Sequence, residues 1–248
     1  MSKSAAAVLA IVAIAAAAIG LYALPSRNAA MGGGGLDRAV ARVLAERPEL
    51  IIGAIQLAET RARAGQEARA REALASNERL LLGHGDDAVV LGNPAGDVTV
   101  VEFFDYRCPY CKRVADGVFE TIAADGKVRL VMKEWPILGP DSLFASRAAL
   151  ASRKQGKYAE FHRALMAERG ALGEQAVLST AARVGLNVEQ LARDMMAPEI
   201  EAHLRQNHAL ARSIGLEGTP AFVVGREIVP GAIDAGALKE LIARARQG

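Results

Sequence analysis

The chain has 248 residues, 51% of them hydrophobic and 4% aromatic, which is enough apolar material for a full core and excludes a chain disordered throughout. Acids and bases nearly cancel, leaving a formal net charge of +2. Nucleic-acid binding would show as a strongly basic stripe, so no nucleic-acid partner is expected.

At the N-terminus, Lys3 precedes an uncharged apolar run from Ala5 to Leu24, ended by Pro25, Ser26 and Arg27. A cation before such a run is the arrangement of an export signal. At about twenty residues the run is also long enough to span a bilayer. Residues 1–30 are therefore expected to be a signal peptide or membrane anchor. The expected location is the periplasm or cell envelope, reached by export or anchoring through residues 5–24, where disulfides form.

Gly32 to Gly35 make a flexible break. From Leu36 to Leu82 the pattern is helical. Leu36, Val40, Val43 and Leu44 fall on one face, and Pro48 suits the first turn of a second helix. Leu50, Ile51, Ala54, Ile55, Leu57 and Ala58 continue an apolar face that two short helices cannot bury alone. It needs either the main domain or another copy of the chain. After Thr60 the composition turns to Ala, Arg, Glu and Gln, with Glu59/Arg63 and Glu67/Arg71 at helical spacing. That stretch reads as a solvated connecting helix or semi-flexible linker.

The main domain begins near Val89. A short strand, a Gly-Asn-Pro turn and a nearly continuous apolar strand from Val98 to Phe104 come first, as in a strand covered on both faces. A helix from Cys108 to about Ala124 and a strand from Lys127 to Glu134 complete a strand–helix–strand unit, expected to be parallel. Four helices follow between Asp141 and about Ile214, marked by Tyr158, Val177, Val188 and Ile200. Two short strands after Gly218 and a last helix capped by Asp234 end the chain.

Both cysteines of the chain, Cys108 and Cys111, lie in one turn. A closed zinc site needs two further ligands. Of His84, His162, His203 and His208, the last two are five apart and point in different directions on one helix. Neither a metal nor another cofactor is expected. A structural staple across two residues removes little unfolded-state entropy. A redox pair fits better. Cys108 stands where a strand turns into a helix, whose N-terminal N–H groups favour a thiolate, and Pro109 suits the first helical position. Arg107 and Lys112 are expected to add positive charge. Cys108 is then the attacking thiolate and Cys111 the shielded, resolving thiol.

Three further features accompany the turn. Glu102 interrupts the apolar strand, as a structural acid paired with Lys133, as a buried proton carrier for Cys111, or as both. Thr219-Pro220 opens a strand, either as an edge breaker or as a cis bond turning Thr219 toward the sulfurs. Trp135-Pro136 stands where a groove could form, or serves packing and turn chemistry.

The stretches VVEFFDYRCPYCKR (residues 100–113), KEWPILGPDS (133–142) and GTPAFVVG (218–225), in that order, resemble the DsbA-like branch of the thioredoxin superfamily. The resemblance implies an α/β thioredoxin fold over residues 85–248 with an inserted helical domain at about 140–216. It implies Cys108 as nucleophile, Cys111 as resolving cysteine, Glu102 as the family's buried acid, and Pro220 as a cis-proline preceded by Thr219. Residues 36–84, with AERPEL, resemble the oligomerisation segment and linker of ScsC-like, copper-tolerance-associated members, and imply a homo-oligomer. The partners implied are cysteine-containing protein substrates and a membrane redox partner that reduces or oxidises the site. The Pro109-Tyr110 dipeptide departs from the histidine-bearing turn of the strongest oxidants and implies a less oxidising centre. The expected function is exported thiol–disulfide exchange, as isomerase or oxidase. The alternatives are a Cu(I)-binding module on the same two thiolates and a non-catalytic chaperone with a peptide groove.

Overall fold

The computed structural model describes residues 34–83 and 88–247. The apolar run 5–24, the glycine break up to Gly33, and His84 lie outside these residues. The chain divides into two compact units, residues 1–63 and 64–248.

The described part of the first unit is helical. Helix α1 spans Gly34–Glu46 and α2 spans Glu49–Ser76, the unit boundary falling within α2. Pro48 stands just ahead of α2 and its carbonyl accepts the Ile51 amide at 3.1 Å, so it starts the first turn. Of the two readings for the stretch after Thr60, the structure has the helix: α2 continues through it without a break, because Ala, Arg, Glu and Gln are strong helix formers. Glu67 and Arg71 pair at 3.7 Å on its exposed surface, which stabilises little. Val40, Val43, Leu44, Leu50, Ile51, Ile52, Ile55 and Leu57 are all exposed.

The second unit is built on a five-stranded sheet. Helix α3 (Glu78–Leu81) leads to β1 (Val89–Gly92), β2 (Val98–Phe104), α4 (Pro109–Asp125) and β3 (Val128–Glu134). The insertion follows as α5 (Pro140–Ala151), a 3-10 turn (Ser152–Gln155), α6 (Tyr158–Ala167), α7 (Glu174–Arg183), α8 (Val188–Asp194) and α9 (Pro198–Ser213). Strands β4 (Ala221–Val224) and β5 (Glu227–Pro230) and helix α10 (Ala235–Gln247) close the chain. The strand order is β1-β3-β2-β4-β5. β2 runs parallel to β3 and antiparallel to β4. Asp234 caps α10 by accepting the Ala237 amide at 2.8 Å.

Two cores explain why β2 reads as continuously apolar. Val98, Val100 and Phe104 face a core shared with α4, α10 and the insertion. Val101 and Phe103 face another, with Leu74, Leu81 and the end of α9. Burial on both sides is what removes polar alternation from a strand. The same alternation places Glu102 on the α4 side.

The turn after β1 leaves no room for a side chain. Gly92 has φ +69°, and a Cβ there would stand 2.6 Å from the Val128 carbonyl oxygen. Gly92→Ala is therefore expected to cost about 2 kcal/mol or more, through left-handed strain plus a backbone clash. Urea denaturation of the variant checks this, with an unchanged midpoint as the contrary result.

Candidate active site

Cys108 is the N-cap of α4. Its extended backbone (φ −71°, ψ 117°) ends the approach from β2, and Pro109 occupies the first turn. The Cys108 amide donates to the Asp105 carbonyl at 3.0 Å, and the Cys108 carbonyl accepts the Lys112 amide at 3.1 Å. Both cysteines are reduced. Cys108 keeps 3% exposure and Cys111 none, so one sulfur of the two is reachable.

The electrostatics separate the two thiols. Cys108 is lowered from 9.0 to about 6, chiefly by a hydrogen bond from the Cys111 thiol. The Thr219 side chain and the Cys111 and Tyr110 amides add to the effect, against burial. The Cys111 amide lies 3.5 Å from the Cys108 sulfur. Cys111 is pushed far above the usual thiol range, first by burial and then by Cys108. Cys108 is a thiolate at neutral pH while Cys111 holds its proton.

Arg107 and Lys112 do not make this thiolate, contrary to the expectation from their positions. Arg107 Nη1 donates to the Leu138 carbonyl at 2.8 Å and lies 3.8 Å from Asp141. Lys112 Nζ donates to the carbonyls of Leu165 and Glu168, at 3.0 and 2.5 Å. Both cations are turned onto neighbouring loops and helix ends. Hydrogen bonds at the helix N-terminus do the work instead.

Thr219 and Pro220 come to the same sulfur. The Thr219–Pro220 bond is cis. The Cys108 thiol, when protonated, donates to the Thr219 carbonyl at 3.2 Å.

Glu102 is buried and raised from 4.5 to about 8, with burial as the cause. Its charge also acts on Cys111. It is not paired with Lys133. Glu102 stands opposite Met132 in the parallel register, so Lys133, one residue on, points to the other face. There Lys133 Nζ donates to the Leu80 carbonyl at 2.7 Å.

Trp135 serves packing: it is buried, and its Nε1 donates to His208 Nδ1 at 3.1 Å. The exposed surface beside the turn comes from Tyr110, Ile137 and Leu138. His203 lies 3.7 Å from Glu134. Met195 is core, but its neighbour Met196 is exposed. Among the described residues, no three His, Cys, Asp or Glu side chains gather as metal ligands.

Sequence reasoning missed two buried polar groups. Asp105 is fully buried beside the turn. His162, weighed only as a metal ligand, accepts or donates at Nδ1 to the Tyr106 hydroxyl at 2.9 Å, inside a ring of Phe104, Phe119 and Tyr158. Burial lowers it to about 4, so it is neutral. A charged residue at the end of an apolar strand was the available signal for Asp105; none existed for the Tyr106–His162 pair.

A reduced dithiol at a helix N-terminus, with a cis X-Pro bond against the first sulfur, defines a thioredoxin-like redox protein. The DSBA-like thioredoxin domain model matches residues 99–243. The chain belongs to this family. A thioredoxin-like oxidoreductase from Silicibacter pomeroyi DSS-3 is 53% identical, with TM-score 0.68 over 69% of this chain and 99% of that one. The catalytic domain of Proteus mirabilis ScsC is 27% identical, with TM-score 0.66 over 72% of this chain and 99% of that one. Disulfide bond formation protein D of Bacillus subtilis (strain 168) is 28% identical over 64% of this chain and 77% of its own length. The chain also matches Na(+)/H(+) antiporter NhaA 1 of Mycobacterium sp. (strain KMS), at 30% identity over 60% of this chain, but spans only 25% of that relative's length. Among the described residues, no helix is long and apolar enough to cross a membrane.

Proposed function

We propose that the protein is an exported thiol–disulfide oxidoreductase that exchanges disulfides with protein substrates through Cys108 and Cys111. The observation that carries this reading is the split between the thiols: Cys108 lowered to about 6 at a helix N-terminus, and Cys111 raised and buried.

The Cys108 thiolate attacks one sulfur of a substrate disulfide, forming a mixed disulfide as the other substrate sulfur leaves as thiolate. Cys111 loses its proton to ionised Glu102 and attacks the Cys108 sulfur. The second substrate thiolate leaves, and the pair has passed two electrons to the substrate. In the opposite direction a substrate thiolate attacks Cys108 of the oxidised pair. Cys111 then leaves as thiolate and takes a proton from neutral Glu102. With Glu102 near 8, both of its forms are populated around neutral pH. The Thr219 backbone lies where an extended substrate segment would pass the sulfur.

The exposed apolar side chains of α1 and α2 support self-association through this segment, and an oligomer of reduced centres supports the isomerase direction. A membrane redox partner would then keep the pair reduced; in the oxidase direction it would reoxidise the pair. The apolar run 5–24 supports a periplasmic or envelope location. The Cu(I) reading is weaker. It needs both sulfurs as thiolates, and burial holds the proton on Cys111.

Turnover of insulin disulfides by the wild type, with none by Cys108→Ser, tests the reading; equal rates would end it. Regain of activity by scrambled ribonuclease indicates isomerisation, whereas activity gained only from reduced ribonuclease indicates oxidation. Residues 36–248 are expected to be oligomeric by light scattering, and Ile51→Asp with Ile55→Asp to give monomers that keep insulin reduction. A monomeric parent would remove the self-association proposal.

A further inference from the structure

Asp105 ends the approach from β2 three residues before the reactive thiol. It is fully buried, yet both carboxylate oxygens are filled. Oδ1 accepts the Arg107 amide at 2.8 Å and the Ser142 hydroxyl at 2.7 Å. Oδ2 accepts the Ile137 amide at 2.8 Å and the Leu138 amide at 3.0 Å. A buried carboxylate is costly unless its lone pairs are met, and four donors from the redox turn, the β3–α5 loop and the first turn of α5 meet them here.

The main chain of the same residue meets the redox turn: its carbonyl accepts the Cys108 amide at 3.0 Å. Asp105 therefore joins the redox turn to the loop between β3 and α5. Arg107 adds a second clasp through the Leu138 carbonyl at 2.8 Å. The loop so held presents Ile137 and Leu138 to solvent, 36% and 43% exposed, while their amides are tied inward.

We propose that Asp105 is a positioning residue for protein substrates: it fixes the Ile137–Leu138 loop against the Cys108 turn, so that an apolar, cysteine-bearing segment meets a preformed surface beside the sulfur. This rests on the disulfide-exchange reading. Its role is in capture, not in sulfur chemistry. Pre-ordering the loop spares the substrate the entropy of ordering it.

Asp105→Asn keeps the shape, but its NH2 group must face either the Arg107 amide or the Ile137 and Leu138 amides, so the bonds that tie the turn to the loop can no longer all form. The test compares wild type, Asp105→Asn, Arg107→Met and Cys108→Ser with two disulfides, insulin and oxidised glutathione. For Asp105→Asn and Arg107→Met, KM for insulin is expected to rise about tenfold with kcat kept, while the glutathione rate moves by less than about twofold. Equal slowing with both disulfides, or no change with either, overturns the proposal. If Asp105→Asn loses its helical circular dichroism, Arg107→Met decides, since it removes the second clasp and one exposed contact with Asp141 while leaving the four bonds of the Asp105 carboxylate; an unchanged insulin KM then overturns the proposal. A wild type no better than Cys108→Ser with both disulfides overturns the exchange reading, and the role of Asp105 with it.

Discussion

Cys111→Ser is expected to accumulate as a mixed disulfide with its substrate, whereas Cys108→Ser forms none and falls to background turnover. The asymmetry follows from geometry. Cys108 sits at the start of α4 and keeps 3% exposure, and Cys111 lies one turn in with none. Without Cys111, nothing in the protein attacks the mixed disulfide from inside, so release depends on external thiols. The pH dependence is equally specific. With Cys108 at about 6, its thiolate fraction is about 90% at pH 7 and about 10% at pH 5. Alkylation by iodoacetamide should therefore slow about ninefold between those values and level off above pH 7. Single labelling at Cys108, read by mass spectrometry, checks both claims. Equal labelling of the two thiols, or a midpoint near 9, would contradict the assignment.

Glu102→Gln is expected to stabilise the protein and slow it. Burial raises Glu102 from 4.5 to about 8. The folded state therefore binds more protons than the unfolded state between these values, and stability falls as pH rises through that window. The penalty is absent below about pH 4.5, grows to about 3 kcal/mol at pH 7, and is complete above pH 8. Glutamine carries no such penalty. Its advantage in urea denaturation should be near zero at pH 4 and greatest at pH 8. The cost falls on Cys111, which loses the group that takes and returns its proton. Resolution of the mixed disulfide should slow by about 10²-fold, with alkylation of Cys108 little changed. A variant no more stable than the wild type at pH 8 would show that Glu102 is not a buried, isolated acid. A carboxylate kept at a cost to stability is what a working residue looks like.

Much of this protein is legible locally. The strand–helix–strand unit around Cys108, four of the five α-helices of the insertion (α6 to α9) and the capped last helix follow from apolar spacing and from Pro, Gly and Asp punctuation, whereas α5 carries no marked apolar stripe of its own. Those signals act within a turn or a strand. The placing of a reactive thiol at a helix start is local too, because Pro109 and the extended approach strand are sequence neighbours of Cys108.

Local signals thus account for most of the elements and for the pairing of two cysteines on one turn. Which partners meet those cysteines depends on contacts between distant segments. Arg107 and Lys112 are next to the cysteines in sequence but bond away from them. Thr219, 111 residues from Cys108, bonds its sulfur. Lys133 falls on the far face from Glu102 because of strand register, which leaves the acid isolated and its proton held. Asp105 gathers donors from residues 107, 137, 138 and 142, which only folding brings to one carboxylate. Periodicity reports which way a side chain points along its own element. Charge states and hydrogen bonds depend on what stands opposite, and that depends on register and packing between distant segments.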